Sequence, residues 1–88
     1  MAGYCVYVLQ SQRNGRFYIG HSGALEERFE DHNAGRVTST RHLRPWTIVY
    51  VQNCSNATEA RKLEWKLKQA KSRKVIEALI ATQLERPD

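Results

Sequence analysis

An Asn-Gly pair at positions 14 and 15 separates two short stretches rich in β-branched and aromatic residues, at positions 4–9 and 16–21. Asn-Gly is the strongest short signal for a tight β-hairpin turn, because both residues tolerate positive φ angles. The two stretches are therefore predicted to pair as antiparallel strands, and this pairing constrains the rest of the fold.

Helix and strand signals alternate along the rest of the chain. Ser22 is a predicted N-cap, and Gly35 suits the position just after a helix. The predicted elements are a helix over 24–33, a strand over 47–52, a helix over 57–70 and a last helix that begins at Ser72. The order β-β-α-β-α-α predicts an α+β fold, with helices flanking a three-stranded antiparallel sheet.

The length of 88 residues allows one domain, predicted over residues 1–83 with a frayed tail over 84–88. No apolar run approaches the ~20 residues that span a bilayer. The N-terminus lacks the basic region of a secretory signal, so we expect a cytoplasmic protein without a membrane partner. Cys5 and Cys54 lack zinc-ligand spacing and are expected to be reduced thiols, with a disulfide as the alternative.

Two tyrosines are predicted to share one face of the hairpin. In a two-residue turn Ser11 faces Tyr18 and Leu9 faces Gly20, which places Tyr7 on that face as well. Gly20 then leaves room between the two phenols. The alternative is that both tyrosines are half-buried core residues with their hydroxyls at the rim.

The first helix carries polar residues where a stabilising helix would be apolar. Leu25 and Phe29 define its apolar face, and helical spacing puts Arg28 and His32 on or beside that face. An arginine that points at the sheet needs an anion, because an unpaired buried charge is costly. The alternative is a local ion pair with one of the helix acids Glu27, Glu30 and Asp31.

The next helix places Glu64 inside an apolar stripe formed by Ala60, Leu63 and Leu67. An internal carboxylate usually has a basic partner or a cation. The alternative to a cation is a structural pair with Lys68 or Arg28. A carboxylate, a guanidinium and a phenol or imidazole together suit phosphoryl chemistry: they can hold a divalent metal, neutralise phosphorane charge and accept a proton from water.

These residues resemble the GIY-YIG nuclease domain, in particular its small stand-alone bacterial members. The first motif element is present as Cys5-Val6-Tyr7, with Cys in place of the usual Gly, and the second is intact as Tyr18-Ile19-Gly20. Arg28 lies on the following helix and Glu64 on the helix after the third strand. The resemblance extends from Tyr4 to about position 80.

The resemblance implies a metal-dependent endonuclease that hydrolyses phosphodiester bonds of DNA, in repair or recombination, with RNA left open as a substrate. Tyr7 would be the general base or position the water, Tyr18 would orient water or phosphate, and His32 would be a rival base. Arg28 would stabilise the transition state, and Glu64 would bind one Mg²⁺ or Mn²⁺. The expected phosphate contacts are Gly20, His21, Arg41, Arg44 and Lys68.

Two other functions fit the same sequence. The first is a nucleic-acid-binding module that keeps the nuclease fold without catalysis. The second is a protein-interaction domain whose basic face meets an acidic partner, since the net charge is +5.

Overall fold

A computed structural model describes residues 3–70 and 72–85, and it contains the predicted elements in the predicted order. The strands are β1 (Tyr4–Ser11), β2 (Phe17–Ser22) and β3 (Trp46–Cys54), and the helices are α1 (Leu25–Ala34), α2 (Ala57–Ala70) and α3 (Arg73–Glu85). A short 3-10 helix, Arg41–Leu43, lies in the loop before β3. The α+β fold is thereby confirmed.

The sheet is antiparallel throughout, with the strand order β2-β1-β3. β1 is the central strand, and five consecutive residues of it, Cys5 to Leu9, are buried. A strand covered on both faces has to be apolar on both faces, which explains why this segment shows no alternation of apolar and polar residues. β2 lies at an open edge of the sheet.

The hairpin turn is wider than the two-residue turn that Asn14-Gly15 predicts, and the predicted register is wrong. Tyr7 lies opposite Gly20, and Leu9 lies opposite Tyr18. The Ser11 hydroxyl causes the widening, since it accepts hydrogen bonds from the backbone N–H groups of Arg13 and Asn14 at 3.0 and 3.2 Å. The register differs from the expected one by two residues, so the face assignments survive.

Each face of the sheet carries its own apolar cluster. On one face α1 packs through Leu25 and Phe29 against the residues Cys5, Tyr7, Leu9 and Trp46. On the other face α2 and α3 pack against Val8 and Tyr50, with Ile76 and Leu67 among the helical contacts. The helix that carries Arg28 and the helix that carries Glu64 therefore lie on opposite sides of the sheet.

The helix ends confirm some of the predicted caps and correct others. Gly35 follows α1 with φ 86°, as predicted. Ser22 is not the N-cap, because Ala24 occupies that position. The Ser22 hydroxyl accepts a hydrogen bond from the backbone N–H of Ala24. Helix α3 includes positions 84 and 85, which were predicted to belong to the tail, and positions 86–88 lie outside the described residues.

Both cysteines are free thiols, as expected. Within the described part of the chain, no helix combines the length and the apolar character needed to cross a bilayer.

Candidate active site at the edge of the sheet

Tyr7 of β1 lies directly opposite Gly20 of β2, and its side chain extends across that glycine. A Cβ atom added to Gly20 would stand 2.7 Å from the Tyr7 hydroxyl oxygen and 2.8 Å from the ring carbon that bears it. The missing side chain therefore lets a residue of the central strand extend its hydroxyl over β2 towards the open edge. This contact assigns Gly20 a positioning role that the wrong register had obscured.

The Tyr7 hydroxyl begins a hydrogen-bond chain that runs inward. It lies 3.0 Å from His32 Nε2, and His32 Nδ1 lies 2.9 Å from the Thr40 hydroxyl. The Thr40 hydroxyl donates to the Val37 carbonyl, so it accepts from Nδ1–H. Nε2 is then the unprotonated nitrogen, and it accepts the Tyr7 proton.

Burial sets the protonation of this pair. Desolvation is the main cause that raises the pKa of Tyr7 to about 12, and the neighbouring Tyr18 is a smaller one. The Arg28 guanidinium opposes this rise through a hydrogen bond and through its charge. Desolvation, followed by Arg28, lowers the pKa of His32 below its ordinary value. At neutral pH the pair is therefore a neutral phenol that donates to a neutral imidazole.

Tyr18 completes the aromatic part of the site. Its ring centroid lies 4.9 Å from that of His32 and 6.4 Å from that of Tyr7. Its hydroxyl has no hydrogen-bond partner within the described ranges. Tyr18 is half-buried, as the alternative interpretation held, but Tyr7 is 1% exposed and its hydroxyl bonds His32 rather than lying at the rim. The two phenol rings and the His32 ring lie together.

Arg28 is exposed, which corrects the prediction that it points into the sheet. Its guanidinium nevertheless lies close enough to Tyr7 and His32 to act on both, and in each case its positive charge lowers the pKa. The alternative of a local ion pair is not what the structure shows: Asp31 pairs with Arg36, and Arg28 has no carboxylate partner in the described segments. A guanidinium beside the Tyr7 hydroxyl is thus open to an anion from solution.

Glu64 reaches the same edge from the other face of the sheet. One of its carboxylate oxygens contacts His21 Nδ1, and the other lies 2.6 Å from Lys68 Nζ, so the predicted structural pair with Lys68 is confirmed. Burial alone would raise the pKa of Glu64, but Lys68 and His21 outweigh it and hold the pKa below its ordinary value. The charge of Glu64 also acts on Tyr7 across β2.

The chemistry of the donors decides whether a divalent metal fits. No cluster of three or more metal-ligating side chains occurs in ranges 3–70 and 72–85. Mg²⁺ typically needs only one or two carboxylates, and water and substrate phosphate supply its other oxygens. Glu64 suits that mode, since its carboxylate is ionised and its present partners are movable: the Lys68 side chain is 51% exposed.

The two loop arginines stand apart from this site. Arg44 donates to the Arg41 carbonyl at 2.7 Å, and both side chains are exposed. No hydrogen bond or ion pair joins either one to Tyr7, Arg28 or Glu64 among the residues that the structure describes. Their contact with phosphate stays a prediction.

Two positioning residues were missed by sequence reasoning. Thr40 is 2% exposed and fixes His32, but it lies in a polar loop whose sequence shows no periodic pattern. The Asn33 side-chain amide bonds both backbone polar groups of Trp46, at 2.6 and 3.1 Å, and so ties the end of α1 to the start of β3. The only signal for Asn33 was its place in the Asn-Ala-Gly helix end.

Replacing Gly20 by alanine is expected to lower the unfolding free energy by about 1–3 kcal/mol, the usual range for overpacking. The added methyl group has no room beside Tyr7, so the phenol must move away from the edge. Urea denaturation measures the loss, and Gly3→Ala is the control because nothing lies within 4 Å of a Cβ there. Equal stability of the two variants would contradict the close approach.

Folding stability is expected to fall in two steps as the pH is lowered. The folded pKa of His32 lies below 6.5, so the unfolded chain binds a proton first and stability declines below about pH 6.5. The folded pKa of Glu64 lies below 4.5, which adds a second decline below about pH 4.5. Urea unfolding between about pH 8 and about pH 3 checks both. Glu64→Gln should weaken the lower step and leave the upper one, and constant stability between pH 7 and 5 would contradict the buried neutral imidazole.

The chain is similar to known proteins over most of its length. A family model described as the GIY-YIG catalytic domain matches residues 3–76. The structure-specific endonuclease subunit SLX1 of Chaetomium globosum is 39% identical over 71 residues, which cover 73% of this chain and 22% of SLX1. The chain thus spans about a fifth of the length of this relative.

Smaller relatives match over most of their length. The UPF0213 protein SH2523 of Staphylococcus haemolyticus is 33% identical over 69 residues, which cover 77% of this chain and 83% of that protein. The solution NMR structure of the UPF0213 protein BH0048 of Bacillus halodurans has a TM-score of 0.57 and is 28% identical, covering 93% of this chain and 85% of that one.

Proposed function

The chain belongs to the GIY-YIG family, and from this premise we propose that it is a metal-dependent endonuclease that hydrolyses phosphodiester bonds of DNA. The observation that carries the proposal is the hydrogen bond from the Tyr7 hydroxyl to His32 Nε2, with the Arg28 guanidinium beside it. A neutral base behind a phenol, and a guanidinium that pairs with none of the described carboxylates, suit the attack of water on a phosphodiester.

The pKa values favour a shared role for Tyr7 and His32 over either residue acting alone. A phenol with a pKa of about 12 is rarely ionised at neutral pH, so a free phenolate is a poor starting point. Both ring nitrogens of His32 are already engaged, Nε2 with the Tyr7 hydroxyl and Nδ1 with Thr40, so the imidazole would act on a substrate water through the phenol. The Tyr7 oxygen would therefore accept a proton from the attacking water while its own proton passes to His32 Nε2.

Arg28 and Tyr18 would act on the phosphate. The Arg28 guanidinium can form paired hydrogen bonds to the equatorial oxygens, whose negative charge grows as the water oxygen adds to phosphorus. Tyr18 offers a hydroxyl that can orient the phosphate or the water. The bond from phosphorus to the leaving oxygen then breaks, and that oxygen takes a proton from solvent water. The proton held on His32 returns to solvent through the Tyr7 oxygen, which completes the hydrolysis.

Glu64 would hold the metal ion. A divalent cation bound there would supply positive charge beside the scissile phosphate and lower the pKa of a bound water. Lys68, released from its ion pair, would be free to contact a phosphate of the substrate. Mg²⁺ is proposed as the natural ion, with Mn²⁺ as a substitute.

The substrate is proposed to be branched or otherwise structured DNA, in repair or recombination. This part rests on the relatives named structure-specific endonuclease subunits, from Chaetomium globosum and Leishmania major among others. The net charge of +5 supports a nucleic-acid partner, because Lys and Arg contacts to phosphate provide most of the affinity for nucleic acid.

A metal-titrated cleavage assay on a supercoiled plasmid and a branched duplex tests the proposal. Wild type should cleave with Mg²⁺, and Arg28→Gln should lower the rate by about 10²–10³-fold, as removal of one transition-state donor does elsewhere. The control is Arg13→Gln, which removes the same charge from the exposed β1–β2 turn. A folded wild type that binds DNA but cleaves neither DNA nor RNA with any divalent metal would leave the binding-module interpretation instead.

A further inference from the structure

Helix α2 exposes a tryptophan that plays no part in the core. The Trp65 side chain is 63% exposed, whereas the other tryptophan, Trp46, is 3% exposed. α2 packs on the sheet through other residues, among them Ala60 and Leu67. A single exposed apolar residue needs no explanation, so the surroundings of Trp65 decide whether it has a function.

Three basic side chains surround Trp65, and most of the surface between them is apolar. A shallow groove runs along α2 and is lined by Thr58, Arg61, Lys62, Trp65 and Lys66. Its three cations are exposed and form no ion pair with any residue described, whereas Lys68 and Arg73 nearby are both paired. Glu59 lines a neighbouring pocket with Lys62 and Lys66, but none of the described carboxylates forms an ion pair with the three cations around the indole.

Helical geometry connects this groove to the candidate active site. Trp65 follows Glu64 directly, about 100° around the helix at 3.6 residues per turn. Arg61 lies three residues before Glu64 and four before Trp65, so it is a neighbour of both on the helix surface. Lys62 and Lys66 lie further around α2, about 160° from Glu64, on the side where they share a pocket with residues of β3. A strand that leaves the site would therefore pass Arg61 and Trp65 before it reaches these two lysines.

We propose that the groove formed by Arg61, Lys62, Trp65 and Lys66 binds an unpaired nucleotide of the nucleic-acid substrate. The base would stack on the indole of Trp65, and the flanking phosphates would contact the three cations. A base inside a duplex is already stacked on both sides, so the occupant is a single-stranded segment next to the cleavage point. This inference rests on the proposed function and adds the substrate feature that the enzyme selects.

Tryptophan fluorescence tests the inference without any cleavage. Titration with a short oligothymidylate in EDTA should quench the emission of Trp65, and a blunt duplex of equal length should quench it less. Trp65→Leu should lose the quenching and bind oligothymidylate about tenfold more weakly, as loss of one stacked base predicts, with affinity measured by fluorescence anisotropy of a labelled oligonucleotide. Trp65→Tyr keeps an aromatic face and should keep most of the affinity.

The controls separate stacking from general apolar or ionic attraction. Leu84→Ala alters another exposed apolar residue, 80% exposed on α3, and should leave the affinity unchanged. Wild-type affinity in Trp65→Leu, or equal affinity of wild type for single strand and duplex, would overturn the inference. Quenching by polyglutamate but not by oligothymidylate would also overturn it and identify an acidic protein partner instead.

The two proposals fail in distinguishable ways. If wild type cleaves DNA but Trp65→Leu binds and cleaves as wild type does, the groove has no such role while the endonuclease stands. If oligothymidylate quenches Trp65 but no nucleic acid is cleaved, the groove stands and the catalytic proposal fails.

Discussion

Replacing Glu64 by glutamine is expected to lower phosphodiester cleavage at least about a thousandfold, since a bound cation supplies several kcal/mol of transition-state stabilisation. Glutamine keeps the shape of the side chain and one acceptor oxygen, but it lacks the negative charge that would hold a cation at the edge of β2. The rate is measured on a plasmid at saturating Mg²⁺ and again across a Mg²⁺ titration. A higher metal requirement at unchanged maximal rate would show that Glu64 contributes to metal affinity alone.

The same variant should change the unfolding free energy by no more than about 1 kcal/mol, because the partners of Glu64 are partly exposed. Glu77→Gln is the matched control: Glu77 forms an equivalent i,i+4 pair with Arg73, at 2.9 Å, on the exposed surface of α3. Glu77→Gln should show a similar stability change and full cleavage. Wild-type cleavage by Glu64→Gln would contradict a catalytic role for Glu64.

Replacing Tyr7 by phenylalanine is expected to slow cleavage by about 10²–10⁴-fold, the usual contribution of a positioned general base. The variant removes the hydroxyl through which His32 is proposed to act on the substrate water. It should also lower the unfolding free energy by about 1–3 kcal/mol, because His32 Nε2 loses its hydrogen-bond donor. Cleavage rates and urea denaturation of the same preparation measure both effects.

Tyr50→Phe is the control for this prediction. Tyr50 is a largely buried tyrosine on the opposite face of the sheet, packed with Val8 and Ile76. Its replacement should leave the cleavage rate unchanged. A Tyr7→Phe variant that cleaves like wild type would exclude the phenol from proton transfer and leave the base unidentified.

Local patterns predicted the fold well, because each element depends on residues close to it in sequence. The apolar run before Asn14-Gly15 and the glycine after α1 both act within a few residues. The predicted hairpin register was wrong because the Ser11 hydroxyl accepts hydrogen bonds from two backbone N–H groups in the turn and so widens it.

The site was predictable to the extent that side-chain periodicity reflects burial. Helical spacing placed His32 on the buried face of α1, and strand parity placed Tyr7 and Tyr18 together. Side-chain periodicity could not show that Glu64 reaches the site from the opposite face of the sheet, or that Thr40 fixes His32. Both contacts depend on how segments distant in sequence pack together. Helical spacing offered Lys68 as a partner of Glu64, which the structure confirms, but it could not show the contact with His21, which comes from another strand.

Among the described residues, the chain of hydrogen bonds behind Tyr7 ends on a backbone carbonyl. Beyond His32 and Thr40 it terminates on the Val37 carbonyl, which has no proton to pass further. In the proposed mechanism, a proton passed to His32 would therefore return by the route on which it arrived, through the Tyr7 oxygen. Each cycle would have to return that proton before the next begins, so the base would be regenerated from the substrate side of the sheet.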